Sequence, residues 1–253
     1  MRRRAVLALG VISLALIVFA PSAHAAQALV AVTTSFSRLA GELVRRFEAD
    51  TGHTVELASG STGKLYAQIV NGAPFDALLA ADQERPRRLE AEGLSVPGSR
   101  QVYAVGQLSL WQADGPSLGN DAVSVLRSKK FRTLAMANPR LAPYGAAALQ
   151  TLQALDLSEA LADRIVMGEN IAQAYALVAS GNASVGFIAT AQLAGSPGRG
   201  NSWPVSPELY QPIRQELVLL PRGAENPAAR EFIEYLLGPA GRKRIAAAGF
   251  GLE

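Results

Sequence analysis

The amino-acid sequence predicts an α/β fold, in which buried strands alternate with amphipathic helices. Short apolar runs are followed by turns rich in small and hydroxyl residues and then by apolar residues at helical spacing, and this order recurs along the chain. Hydrophobic residues make up 49% of the 253 residues and charged residues 18%, which is typical of a globular protein. The chain contains no cysteine, which excludes disulfides, thiolate metal sites and cysteine nucleophiles.

The first third of the sequence predicts three strands, each followed by a helix. Leu39, Leu43 and Phe47 lie on one face of the first helix, and Gly52 supplies its end. The predicted order is a strand at 29–32, a helix from Phe36 to Gly52, a strand at 54–57, a turn at 59–63, a helix at 65–70, a strand at 77–80 and a helix at 86–92.

The rest of the chain continues the same pattern. Asn226 and Pro227 are a favourable N-cap and first residue for a helix that runs to Leu237. The predicted order is a strand at 133–137, a helix after Gly145, a strand at 165–166, a helix at 171–178, a surface loop rich in Gly, Pro and Ser at 192–212, the helix at 227–237 and a short helix from Arg242.

Residues 1–25 have the pattern of a secretory signal peptide. Three arginines precede an apolar stretch at 5–20, and Ala23-His24-Ala25 matches the small-residue pattern before a cleavage site, so we expect cleavage near Ala25. The apolar stretch is shorter than the ~20 residues that a membrane-spanning helix needs. The whole chain has 24 basic and 21 acidic residues, and three of the basic residues are the arginines of this segment. The remaining 21 basic and 21 acidic residues balance, so the charge gives no reason to expect nucleic-acid binding.

Four strand-to-helix turns are rich in Ser, Thr, Asn and Gly. Helix N-termini present unpaired N–H groups and a partial positive charge, and hydroxyl side chains add donors without adding charge. Such residues also cap helices everywhere, so a single turn indicates little. Several of them at the carboxyl ends of strands, where open α/β sheets bind ligands, favour an anion-binding site.

Enzymatic alternatives receive less support. The turn that ends in Lys64 lacks the first glycine of a phosphate loop, and Leu65 replaces its Ser or Thr. Ser61-x-x-Lys64 matches the nucleophile pattern of penicillin-binding proteins, but no Lys-Thr-Gly motif accompanies it. The one histidine after the signal segment, His53, is expected in a solvated loop.

Charged residues near the third strand also have simpler explanations than catalysis. Asp76 and Asp82 are expected to cap and terminate the strand between them, and the arginines at 85, 87 and 88 are expected on a solvated helix face. Tyr144, between Pro143 and Gly145 at a helix start, could either pack in the core or donate its phenol proton to a ligand.

Taken together, the turns resemble those of the periplasmic molybdate-binding proteins, which are receptors of ABC importers. The resemblance runs from about Leu29 to the end of the chain. Its most specific pieces are the segments 60–69, 71–76, 80–86, 138–145 and 168–174. It implies a two-lobed periplasmic-binding-protein fold of type II, with a mixed sheet flanked by helices in each lobe and the ligand cleft between the lobes. The implied division is residues 26–106 and 208–253 for lobe 1 and 107–207 for lobe 2.

The resemblance also implies the ligand shell, which consists of hydroxyls and backbone amides. The matching positions are Thr34, Ser35, Ser61, Thr62, Tyr144 and Ile171, the last through its backbone N–H. Many members have Asn where Ser35 stands, and some use a Tyr at the position of Ala189 instead of one at Tyr144. Loop lengths vary in the second turn, so which of Ser61 and Thr62 is the main ligand stays open.

The function implied is a binding protein in the periplasm, without enzymatic activity or cofactor. Its expected partners are molybdate or tungstate and an ABC permease in the inner membrane, and we expect a monomer with no metal bound directly by side chains. A receptor for a different small oxyanion, or a hydrolase that uses Ser61 and Lys64, remains the alternative.

Overall fold

The computed structural model describes residues 25–195 and 200–253, so the predicted signal peptide lies outside the described residues apart from Ala25. The strands are β1 (Gln27–Thr33), β2 (Thr54–Gly60), β3 (Ala77–Leu79), β4 (Gln101–Gly106), β5 (Leu108–Gln112), β6 (Leu134–Ala137), β7 (Ile165–Gly168), β8 (Val185–Ala189), β9 (Asn201–Pro204) and β10 (Ile213–Leu219). The helices are α1 (Ser37–Thr51), α2 (Thr62–Val70), α3 (Glu84–Ala91), α4 (Ala122–Ser128), α5 (Pro143–Ala154), α6 (Ile171–Ala179), α7 (Pro227–Leu237) and α8 (Pro239–Ala247).

The first sheet has the strand order β2-β1-β3-β10-β4. Strands β1, β2 and β3 are parallel, and β10 runs antiparallel to both β3 and β4. Helix α1 buries its apolar stripe against this sheet, in one core with α7 and α8. Gly52 ends α1 in the left-handed conformation at φ 77°, where glycine carries no steric cost. Because β1 and β2 are parallel neighbours, their carboxyl ends lie side by side.

The second sheet has the order β7-β6-β8-β5-β9 and its own core. Strands β6, β7 and β8 are parallel, and β5 runs antiparallel to both β8 and β9. Helices α5 and α6 follow β6 and β7, so their N-termini lie at the carboxyl edge of this sheet. The chain passes between the sheets twice, at Gln107 and between β9 and β10.

The predicted strands and helices are confirmed with shifted ends, but the predicted loop at 192–212 is wrong in part. Strand β9 lies within it and pairs with β5 at the sheet edge. Trp203 and Val205 are buried by this pairing, whereas the residues that alternate with them face solvent. A four-residue edge strand that ends in proline has too few apolar residues for its alternation to be recognised.

Helix α5 begins earlier than the sequence suggests. Pro143 is its first residue, so Tyr144 and Gly145 belong to its first turn. Similarly, α8 begins at Pro239 rather than at Arg242. Among the described residues, none of the helices is both long and apolar enough to cross a bilayer.

Candidate functional site

The N-termini of four helices meet between the two sheets. Helices α1 and α2 follow strands of the first sheet, and α5 and α6 follow strands of the second. The turns before α1 and α2 are joined directly, because Thr34 N–H donates a 3.0 Å hydrogen bond to the Gly60 carbonyl. Ser35 is 7% exposed, and its Oγ lies 3.5 Å from Thr33 Oγ1.

Ser61 and Thr62 are both buried, but their hydroxyls have different surroundings. Thr62 Oγ1 accepts a 2.9 Å hydrogen bond from Ala81 N–H and so ties α2 to the end of β3. Ser61 is the N-cap of α2, yet its Oγ makes no capping bond and no other hydrogen bond within the described residues. A buried hydroxyl without a partner is costly, so Ser61 Oγ is available for a ligand.

Tyr144 is 1% exposed and points from α5 toward the first sheet. Its hydroxyl accepts a 3.0 Å hydrogen bond from Gln215 Nε2 on β10, and the Ser35 hydroxyl lies near enough to lower the pKa of the phenol. Burial raises the pKa of the Tyr144 phenol well above 10.0, so the hydroxyl keeps its proton. Ser35 and Tyr144, which are far apart in sequence, are thus brought together.

Gly106 makes this approach possible. A Cβ at this position would overlap the Tyr144 hydroxyl oxygen and would lie 3.0 Å from Gln215 Nε2. Sequence reasoning missed both Gly106 and Gln215, because their relation to Tyr144 arises only when β4 and β10 pair beside α5.

Ile171 is the first residue of α6 and is 2% exposed. The Asn170 side chain caps this helix by accepting from the N–H groups of Ala172 and Gln173, at 3.0 Å each. Within the described parts of the chain, no hydrogen bond uses the Ile171 N–H, as expected for the first N–H of a helix. This N–H is a free donor at the positive end of α6.

Further contacts hold the two sheets together around these turns. Gly63 N–H at the start of α2 donates to Leu141 O at 2.9 Å, three residues before Tyr144. A cleft of about 310 Å³ opens beside the turns, lined by Thr34 and Ser35 on one side and by Ala172 and Gln192 on the other. The N-termini of α1 and α6 therefore face each other across a space open to solvent.

Two of the cations near these turns, Lys64 and Arg85, are paired with acidic side chains. Lys64 and Glu169 are both 57% exposed, and Lys64 Nζ lies 3.6 Å from the Glu169 carboxylate. Arg85 Nη1 lies 2.9 Å from Asp82 Oδ2. The donors described above are uncharged hydroxyls and backbone N–H groups, a set that suits an anion without protons.

A second cleft, of about 280 Å³, lies between residues 81–85 and 211–214. It contains Asp82, whose pKa is raised by burial although the Arg85 side chain and N–H lower it, and the exposed carboxylate of Glu84. Arg85 and Arg214 line the same cleft, so its charge alone does not exclude an anion. None of the predicted donor residues at 34, 35, 61, 62, 144 and 171 lines it, however, so this cleft is not the candidate site.

The histidine and the two aspartates singled out in the sequence all have structural contacts. The expectation that His53 is solvated is wrong: it is 5% exposed, its Nδ1 accepts from Ala26 N–H at 3.0 Å, and its ring stacks on Phe47. The burial is produced by chain segments that fold over the loop. Asp76 and Asp82 do have structural roles, since Asp76 Oδ2 accepts from Leu29 N–H at 2.7 Å and Asp82 Oδ1 accepts from Arg85 N–H at 2.9 Å.

The geometry also disfavours the hydrolase alternative. Its nucleophile would need Lys64 as a base, but Ser61 Oγ has no hydrogen bond to any described side chain, and Lys64 Nζ faces Glu169 instead.

Among the described residues, no three His, Asp or Glu side chains are grouped as metal ligands.

Comparison with known proteins decides the family. The model of the bacterial extracellular solute-binding proteins matches residues 28–251. The chain belongs to this family. It is 46% identical over 245 residues to the molybdate-binding protein ModA of Azotobacter vinelandii, a match that covers 96% of this chain and 97% of that protein. Its identity to ModA of Rhodobacter capsulatus is 43%, over 96% of both chains.

The solved structure of the Azotobacter vinelandii periplasmic molybdate-binding protein matches with a TM-score of 0.85 at 39% identity, over 89% of this chain and 99% of that one. As a member of the solute-binding proteins, the chain has the two-lobed fold with a mixed sheet in each lobe, which confirms the predicted fold class. The resemblance to periplasmic molybdate-binding proteins and the expectation of a transport receptor rather than an enzyme are confirmed by these relatives.

Proposed function

We propose that this protein is a periplasmic receptor that captures molybdate or tungstate and delivers it to an ABC permease in the inner membrane. The observation that carries the proposal is the buried Ser61 hydroxyl, which has no hydrogen-bond partner among the described residues and stands at the N-terminus of α2. We assign Ser61 Oγ, Ser35 Oγ, Tyr144 Oη and the Ile171 N–H as donors to the anion. Thr34 and Thr62 complete the turns. We assign Thr62 a contact through its backbone N–H, and we assign Thr34, whose N–H donates to the Gly60 carbonyl, a contact through its hydroxyl.

Neutral donors suit a dianion in a closed cleft. A buried counter-ion would have to lose its own hydration, which costs several kcal/mol per ion. Helix N-termini and hydroxyls instead stabilise the charge with fixed dipoles and leave no cation buried when the site is empty. The pairing of Lys64 with Glu169 on the surface supports this assignment, because Lys64 is already engaged there.

Discrimination between oxyanions would come from size and protonation. Molybdate and tungstate have nearly the same size and charge, so we expect both to bind. Sulfate is smaller and would not reach every donor at once. Hydrogen phosphate carries a proton, and the four assigned groups include no carboxylate to accept it.

We further propose that residues 26–106 and 208–253 form lobe 1, that residues 107–207 form lobe 2, and that a monomer closes around the anion by hinge motion. The donors support this division, since Ser35 and Ser61 lie beside the first sheet and Tyr144 and Ile171 beside the second. An anion that bridges them would stabilise the closed form, which the permease would recognise.

The test is calorimetric titration of residues 26–253 with molybdate, tungstate, sulfate and phosphate. The proposal predicts one-to-one binding of molybdate and tungstate and at least about a hundredfold weaker binding of sulfate and phosphate, which corresponds to about 3 kcal/mol. Ser158→Ala, which removes a hydroxyl outside the four turns, is the matched control and should bind as the wild type does. Tighter binding of sulfate or phosphate than of molybdate would contradict the proposal.

A further inference from the structure

A buried chain of hydrogen bonds leads from the first sheet to the Tyr144 hydroxyl. Tyr103 Oη on β4 lies 2.9 Å from Gln215 Oε1 and 2.9 Å from the Ala80 carbonyl. Gln215 Nε2 then donates to Tyr144 Oη at 3.0 Å. Tyr103, Gln215 and Tyr144 are each at most 1% exposed, so water does not compete for these groups.

A break in the strand pairing places these side chains together. Gln215 is opposite Ala104, whereas the next residue, Glu216, is opposite Val102, so Tyr103 is the extra residue of a β-bulge. Successive side chains of a regular strand point to opposite faces, and Tyr103 would then point away from Gln215. Bulges redirect side chains in this way, often beside functional sites.

The direction of donation in this chain decides what Tyr144 can do. A tyrosine hydroxyl has one proton, and an oxyanion without protons can only accept. If the Gln215 amide donates to Tyr144, the Tyr144 proton is left for the anion. If the amide were turned over, Tyr144 would give its proton to Gln215 Oε1 and present only lone pairs to the anion.

We propose that Gln215 is a positioning residue of the anion site, which holds the Tyr144 hydroxyl as a donor toward the bound anion. The single proton of Tyr103 has two acceptors at 2.9 Å, Gln215 Oε1 and the Ala80 carbonyl, and this orientation requires that it be donated to Gln215 Oε1. The inference rests on the proposed function, in that it takes molybdate as the anion and Tyr144 as one of its donors.

The experiment is a double-mutant cycle with molybdate as the probe. Gln215→Glu keeps the shape of the side chain but accepts the Tyr144 proton, and Gln215→Met removes both hydrogen bonds without adding charge. Both are made in the wild type and in Tyr144→Phe, and the dissociation constant is measured by calorimetry. Gln101→Glu, exposed on the same sheet, controls for an added charge, and the melting temperature without ligand shows that each variant is folded.

In the presence of Tyr144, Gln215→Glu should weaken molybdate binding by about tenfold or more, and Gln215→Met should weaken it by a smaller factor. In the Tyr144→Phe background, Gln215→Met should leave the dissociation constant within about twofold of that of Tyr144→Phe alone. In the same background Gln215→Glu should weaken binding less than it does in the wild type, by the amount that its added negative charge causes. A residue with only a structural role would act equally in both backgrounds.

Equal losses with and without the Tyr144 hydroxyl, or no loss in either variant, would overturn the inference and leave the proposed function standing. Unchanged binding by Tyr144→Phe alone would also overturn it, because Tyr144 would then not be a donor. Absence of molybdate binding by the folded wild type would overturn the proposed function, and this inference with it.

Discussion

Ser61→Ala and Thr62→Val should have opposite effects, although the two residues are adjacent and both buried. Ser61 Oγ has no partner among the described residues, so its removal should leave the melting temperature of the unliganded protein unchanged or slightly raised. The same change removes one hydrogen bond to a charged ligand, worth about 1.5–3 kcal/mol, so molybdate binding should weaken by about 10- to 150-fold.

Thr62→Val removes the acceptor of the 2.9 Å bond from Ala81 N–H and leaves that N–H buried. The expected loss of unfolding free energy is about 1–3 kcal/mol, with molybdate affinity within about threefold of the wild type. Thr62→Ser keeps the oxygen and serves as the control.

The assays are thermal unfolding without ligand and calorimetric titration with molybdate. The reasoning would be refuted if Ser61→Ala lowered the melting temperature without changing affinity, or if Thr62→Val weakened binding without changing stability. Either result would mean that the two hydroxyls have exchanged roles.

Three further predictions concern the surroundings of the donors. Gly106→Ala places a methyl group where the Tyr144 hydroxyl lies, so titration should show molybdate affinity reduced by about tenfold or more, and an unchanged affinity would contradict the close approach. Lys64→Met breaks only an exposed ion pair with Glu169, which is worth at most about 1 kcal/mol. Molybdate affinity should therefore change by less than about fivefold, and a loss of about a hundredfold would show that the lysine binds the anion. Because burial raises the pKa of Tyr144, molybdate affinity should persist as the pH rises to about 10, the ordinary pKa of tyrosine, and a loss with a midpoint below that value would count against a protonated donor.

Local patterns were sufficient to predict the elements that depend on their own residues. The stripe of Leu39, Leu43 and Phe47 and the glycine after it define α1, and Asn226 with Pro227 defines the start of α7. Anion binding by the four turns stays a prediction, which rests on the donors that helix N-termini after strands carry in the local backbone.

What could not be predicted depends on contacts between distant segments. His53 looks like a loop residue until Ala26, 27 positions earlier, donates to its ring and Phe47 packs against it. The difference between Ser61 and Thr62 depends on Ala81, 19 residues away from Thr62. Gln215 reaches Tyr144 across 71 residues and between the two sheets, and no spacing rule connects them.

The central claim is that neutral groups from both lobes hold the anion. A crystal structure of the molybdate complex, with molybdenum located by its anomalous scattering, tests it most directly. The account predicts one molybdenum peak between the turns, with oxygens within hydrogen-bond distance of Ser61 Oγ, Tyr144 Oη and Ile171 N and with no lysine or arginine in contact. A peak bound by Lys64 or Arg85, or one that contacts a single lobe, would contradict it.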